Sequence, residues 1–137
     1  MKKLASDRPL KIAFLIGGIY DILLGISLLL FIDLLAELLD AAKPEPRIFA
    51  QLVGLFLIAM GYFLLYAAQN PRRLAFVGAA SALIRLLYAL LVIMAWITQD
   101  IETIYLITAL TDVITGLMLL GALLLTDDVS LKQLWKY

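Results

Sequence analysis

The stretch GAASALIRLLYALLVIMAW, residues 78–96, decides the fold because it is apolar except for one charge, Arg85. It is about as long as a bilayer-crossing helix, which needs roughly 20 apolar residues. Arg85 follows Arg73 by 12 residues, so a helix carries it about 18 Å from that flanking charge. A guanidinium at such a depth costs at least ~2.5 kcal/mol unless it faces protein or water. The stretch therefore predicts a membrane-spanning helix with Arg85 facing the inside of a bundle.

Two further charges lie inside apolar stretches, Asp21 in GGIYDILLG and Asp112 in TALTDVITG. Each lies 10 residues from its nearest flanking charge, which is about 15 Å along a helix. Three charges at a similar depth, two negative and one positive, predict a single buried cluster of Asp21, Arg85 and Asp112. We expect Arg85 to form a salt bridge with one carboxylate or with both. A carboxylate left without Arg85 would need a proton, a hydroxyl group or water.

Composition extends the membrane assignment to the whole chain of 137 residues. Hydrophobic residues make up 64% of it, whereas soluble domains contain about 45–50%. The expected fold is all-α and integral to the membrane, an antiparallel four-helix transmembrane bundle in a single domain covering residues 1–137. The predicted spans are residues 11–32, 48–68, 74–97 and 103–125.

The composition also excludes several classes of function. The 11 basic and 11 acidic residues balance, so no basic surplus remains to bind nucleic acid. The absence of cysteine and histidine removes disulfides, iron–sulfur clusters, imidazole metal sites and histidine-ligated haem. We therefore expect no cofactor, no metal site and no catalytic residue, and we expect membrane lipid as a partner.

Charges in the loops predict the orientation. The N-terminal segment carries four Lys/Arg, the 69–73 turn two and the tail 126–137 two, which places eight on one side. The opposite side carries only Lys43 and Arg47. The positive-inside rule then places both termini in the cytoplasm, and we expect a bacterial inner membrane.

The segment DLLAELLD, residues 33–40, follows the first span and alternates as an amphipathic helix does. Asp33, Glu37 and Asp40 would share a polar face, and the four leucines the opposite one. Such a helix is typical of the membrane interface.

Small residues recur where helices would need to approach one another. Stripes of small residues let helix backbones pack closely in lipid, and Gly18, Gly25, Ser81, Ala82 and Gly116 are expected to let three backbones converge around the charges. The predicted helix-packing glycines are Gly18, Gly25, Gly54, Gly61, Gly78 and Gly116.

Hydroxyl groups lie on the same helix faces as the three charges. They predict polar support for the cluster, whether the cluster is structural or functional. The supporting residues are Tyr20, Ser81, Tyr88, Thr108, Thr111 and Thr115.

Four short motifs resemble a known group of proteins: G-I-Y-D-x-x-x-G at 18–25, G-Y at 61–62, A-A-x-N-P-x-R at 67–73 and T-D at 111–112. Together they resemble small bacterial four-span proteins grouped as DoxX-like, most of which have no assigned activity. The resemblance implies four spans, with a basic residue near Arg85 and an acid near Asp112. DoxX proper is associated with quinone-linked sulfur oxidation, and the lack of cysteine here argues against thiol chemistry.

Three functions fit the sequence. The leading hypothesis is a non-enzymatic accessory or assembly subunit, in a larger membrane complex or a homo-oligomer. The second is a small proton-coupled transporter or channel, which would need a polar path from the cluster to both faces. The third is a lipid- or quinone-binding protein, which would need a pocket that ends at the cluster.

Overall fold

A computed structural model describes residues 6–126 of the chain, and these residues form helices and connecting turns without any strand. The predicted cytoplasmic tail lies outside the described residues except for Thr126. The helices are α1 (Arg8–Leu30), α2 (Ile32–Leu38), α3 (Arg47–Ala67), α4 (Ala75–Gln99) and α5 (Ile104–Leu125).

Four of these helices, α1, α3, α4 and α5, are long and apolar enough to cross a membrane. The chain is therefore a small integral membrane protein.

Prolines mark the helix boundaries. Pro9 stands in the first turn of α1, where its missing N–H is not needed. Pro44 and Pro46 separate α2 from α3, because proline cannot continue a helix. The helix bounds differ from the predicted spans by at most three residues.

The four spans form the expected antiparallel bundle. The closest packing is between α1 and α3 and between α4 and α5, and α1 also packs against α5. The packing of α3 against α4 is much sparser. The bundle therefore consists of two tight helix pairs joined mainly through the first and last spans.

Glycines create the close contact within the first pair. An added Cβ at Gly25 would lie 2.6 Å from the carbonyl oxygen of Gly54, and one at Gly61 would lie 2.7 Å from that of Gly18. Two glycines seven residues apart on each helix thus face each other in antiparallel register. This corrects one expectation: Gly18 and Gly25 bring α1 against α3 and do not line the charged cluster, which lies towards α4 and α5.

The other predicted packing glycines face different partners. Gly78 of α4 leaves room for the ring of Phe14 on α1. Gly116 of α5 packs beside the Cβ of Arg85 and the side chain of Leu86. These two positions let α4 pack closely against Phe14 of α1 and against α5.

The interior differs between the two ends of the bundle. We call the end next to Arg8, the 69–73 turn and Thr126 the inner half, and the opposite end the outer half. The inner half holds a continuous core of fully buried side chains from all four spans, including Leu10, Phe14, Leu64, Leu119 and Leu123. The buried hydrophobic cluster of the outer half is small, consisting of Ala89, Val92 and Ala109 of α4 and α5, and Ala36 of α2 is buried separately.

The predicted amphipathic segment 33–40 forms α2 at the outer end of α1, but this helix ends at Leu38. Asp40 lies in the turn that follows, with a φ of 49°, and so does not share a helical face with Asp33 and Glu37. Glu37 accepts a hydrogen bond from Lys43 at 2.9 Å, which lowers the pKa of Glu37. Asp33 is half-buried and pairs with Arg47 at 2.8 Å. Leucines 34, 38 and 39 are exposed, so this helix presents an apolar face away from the bundle, where lipid would lie.

Candidate functional site

The three charges predicted to meet do meet, near the middle of the bundle. Nη2 of Arg85 lies 2.5 Å from both carboxylate oxygens of Asp21, and Nη1 lies 2.6 Å from Oδ1 of Asp112. Arg85 is ten residues from the start of α4, about 15 Å along the helix. The Arg85 side chain is 6% exposed and that of Asp21 is 0% exposed. One guanidinium thus bridges two carboxylates from the first and last spans.

Two hydroxyl groups complete the shell of Arg85. Nε donates to Oγ of Ser81 at 3.3 Å, and Nη1 donates a second hydrogen bond to Oγ1 of Thr115 at 3.2 Å. A guanidinium donates through three nitrogens, and here each of the three has an acceptor within the protein. Arg85 is therefore held on all sides by groups of α1, α4 and α5, and its geometry is that of a group that joins three helices.

The two carboxylates are not equivalent. Both oxygens of Asp21 are engaged by Arg85 and fully enclosed. The side chain of Asp112 is 21% exposed, and Arg85 engages its Oδ1. Asp112 is therefore the member of the cluster that a ligand or a proton could reach.

The predicted supporting hydroxyls form a ladder along α5. Tyr20 of α1 donates to Oγ1 of Thr111 at 3.0 Å, and Thr111 donates to the backbone oxygen of Thr108 at 2.8 Å. The Tyr88 hydroxyl of α4 lies 3.0 Å from Oγ1 of Thr108, which itself donates to the backbone oxygen of Tyr105. The ladder starts beside Asp112 and leads towards the outer end of the bundle.

Several aromatic side chains near this ladder in the outer half are partly exposed. Tyr105 precedes Asp112 by seven residues and therefore lies on the same helix face, yet it is 47% exposed. Tyr88 is 36% exposed and Trp96 46% exposed. We call this region the outer crevice and define it by Tyr20, Tyr88, Tyr105, Thr108, Thr111 and Asp112. Tyr105 was missed from sequence, although its seven-residue spacing from Asp112 could have identified it.

The crevice and cluster do not resemble a metal centre. Among the described residues, no group of three or more Asp, Glu, His or Cys side chains could hold a metal ion. The arrangement can accept hydrogen bonds at Asp112 and offer tyrosine and threonine hydroxyls above it. Groups of these kinds can orient the polar head of a ligand through hydrogen bonds.

No match to this chain was found among protein-family models, curated proteins or solved structures. The resemblance of residues 18–112 to DoxX-like proteins therefore stays a prediction from short motifs. Any role for the cluster has to rest on its geometry.

Proposed function

We propose that this membrane protein binds an amphipathic ligand of the lipid or quinone class, with the polar head of the ligand in the outer crevice. The observation that carries the proposal is the 21% exposure of Asp112 in an interior whose opposite half is closed. Pockets for such ligands are mostly apolar with a few convergent polar groups. Asp112 would accept a hydrogen bond from a hydroxyl of the ligand, and the tyrosine hydroxyls would contact its oxygens.

The core of the inner half argues against transport through the bundle. Between the cluster and the inner face lie Phe14, Leu119 and Leu123, each at most 1% exposed. A proton or ion moving from Asp112 to that face would meet close-packed hydrocarbon, in which polar and charged groups are costly. The hydroxyl groups extend from the cluster towards the outer end of the bundle, which favours a binding site over a transport path between the two membrane faces.

A second candidate is the non-enzymatic accessory or assembly subunit expected from the sequence, within a larger membrane complex or a homo-oligomer. The observation that favours it is that all three side-chain nitrogens of Arg85 bind groups of this chain. Such a cluster can fix helix order at some cost in stability. The DoxX-like resemblance agrees with both candidates.

The ligand hypothesis predicts that Tyr88→Phe weakens binding by about two- to tenfold, the equivalent of one hydrogen bond of 0.5–1.5 kcal/mol. The full chain in detergent would be titrated with decylubiquinol and, separately, with a lysophospholipid, and the bound species counted by native mass spectrometry. Ser27→Ala is the control because its hydroxyl donates only to the backbone oxygen of Leu23, outside both the outer crevice and the 69–74 turn.

Preferential retention of one of the two probes identifies the ligand class. If both variants bind the probes as the parent chain does, the crevice is not the binding site. A co-purifying protein in the same spectra, with neither probe bound, would favour the subunit hypothesis instead.

We also propose that both termini are cytoplasmic in a bacterial inner membrane. The split of eight basic residues against two supports this orientation through the positive-inside rule. Reporter fusions at Lys43 and Tyr137 are expected to give signals from opposite sides of the membrane, the Tyr137 fusion being cytoplasmic. Signals from the same side would rule out the four-span topology.

A further inference from the structure

A shallow cavity lies at the turn between α3 and α4, at the inner end of the bundle and far from the outer crevice. Its volume is about 270 Å³, and it is lined by Tyr66, Gln69, Asn70, Arg73 and Leu74. The turn joins the ends of two membrane spans. The cavity therefore lies at the depth where lipid headgroups meet the hydrocarbon layer.

The charge around the cavity favours an anion. No described carboxylate lies within salt-bridge distance of Arg73, and the sequence contains no Asp or Glu from residue 48 to residue 99. The N-terminus of α4 begins at Ala75, directly after the cavity-lining Leu74. Its helix dipole places partial positive charge at that end.

The lining supplies hydrogen-bond donors of the kind that hold a phosphate. The Arg73 guanidinium can bind phosphate oxygens through charge-assisted hydrogen bonds. The carboxamides of Gln69 and Asn70 and the hydroxyl of Tyr66 add neutral donors. All four side chains are exposed, so a headgroup could enter the cavity without displacing the core.

Apolar surface continues from the cavity along the spans. Tyr62, Phe63 and Tyr66 on α3 and Phe76 on α4 are each at least half exposed. The rings of Tyr62 and Tyr66 stack with their centroids 6.5 Å apart. A ligand that placed an anionic head in the cavity could lay hydrocarbon chains along this aromatic surface.

We propose that the cavity at the 69–74 turn binds the phosphate of a glycerophospholipid, with Arg73 as its charged contact. The chemistry recognised is a phosphate group, and the source is lipid because the polar cavity adjoins exposed aromatic surface at the membrane boundary. This site is separate from the outer crevice, which lies at the other end of the spans. It would anchor the inner end of the α3–α4 hairpin in the headgroup layer.

The test is native mass spectrometry of the full chain in detergent, titrated with phosphatidylglycerol. Diacylglycerol with the same chains tests whether the phosphate is needed, and inorganic phosphate tests whether the lipid chains are needed. Arg73→Gln is expected to weaken phosphatidylglycerol binding about fivefold, the effect of roughly one basic residue near an anionic surface. Arg72→Gln is the matched control because it removes the same charge from a neighbouring position that does not line the cavity.

The proposal predicts that Arg73→Gln has the larger effect, that diacylglycerol binds weakly and that inorganic phosphate competes poorly. Equal losses from the two arginine variants would overturn it, since general attraction to the basic turn would then explain the binding. Inorganic phosphate that binds as well as the lipid would overturn the lipid assignment. Circular dichroism of both variants in the same detergent checks that neither substitution has altered the helices.

Discussion

Replacing Arg85 with leucine is expected to lower the free energy of unfolding by about 3–5 kcal/mol, the usual cost of removing one partner from a buried ion pair. The loss is large because Arg85 neutralises two carboxylates at once, and Asp21 has no exposed surface through which water could replace it. Unfolding of the chain in mixed detergent micelles, titrated with dodecyl sulfate and followed by circular dichroism, measures the change.

Two further sets of variants separate charge from shape. Asp21→Asn should destabilise more than Asp112→Asn, because Asp21 is fully enclosed whereas Asp112 is 21% exposed. The triple variant Arg85→Leu/Asp21→Asn/Asp112→Asn should recover much of the loss, since it leaves no uncompensated charge. A triple variant no more stable than Arg85→Leu alone would mean that the lost packing of the arginine stem, and not the unpaired acids, causes the effect.

The cluster could be predicted from sequence because the number of residues between a charge and the nearest flanking charge gives its depth along a membrane-spanning helix. The distances of Asp21, Arg85 and Asp112 from their flanking charges place them at one level, and the high energy of an unpaired charge in lipid then requires them to meet. The contacts of Ser81 and Thr115 follow from the same geometry. Ser81 lies four residues before Arg85 and Thr115 three after Asp112, and residues at these spacings share a helix face.

Helical periodicity gives the direction of a side chain around its own helix but does not identify the neighbouring helix. Spacing along α1 therefore predicts that Gly18 and Gly25 lie beside the charged cluster, although in the structure they face Gly61 and Gly54 of α3. Asp21 lies on the same stripe by spacing, yet its carboxylate reaches Arg85 of α4. A rotation of roughly 60° around α1 separates the two environments, and no sequence pattern states which partner lies on which side.

The difference between the inner and outer halves was also not predictable from hydropathy. Both halves of each span are rich in leucine and isoleucine, so their average hydrophobicity gives no sign of closure at one end. The distinction comes from shape. Phe14 fills the space beside Gly78 in the inner half, whereas Tyr88 and Tyr105 of the outer half remain partly exposed.

The second large effect is expected at the glycine contact between α1 and α3. Gly25→Ala should lower the free energy of unfolding by about 1–3 kcal/mol, the range for forcing extra atoms into a packed site. The added Cβ would lie 2.6 Å from the carbonyl oxygen of Gly54, and backbone atoms cannot move aside as a flexible side chain can. The helices must therefore separate, which weakens the contacts along the whole pair. The same detergent titration measures the loss.

Gly121→Ala is the matched control because an added Cβ there would meet nothing within 4 Å. Its stability should be unchanged or rise by up to about 1 kcal/mol, since alanine favours helix more than glycine does. Gly25→Ala and Gly54→Ala should each be damaging but less than additive when combined, because the first substitution already separates the two backbones that the second would push apart. Additive losses, or a loss at Gly121 equal to that at Gly25, would show that the cost arises within each helix and not at the contact between them.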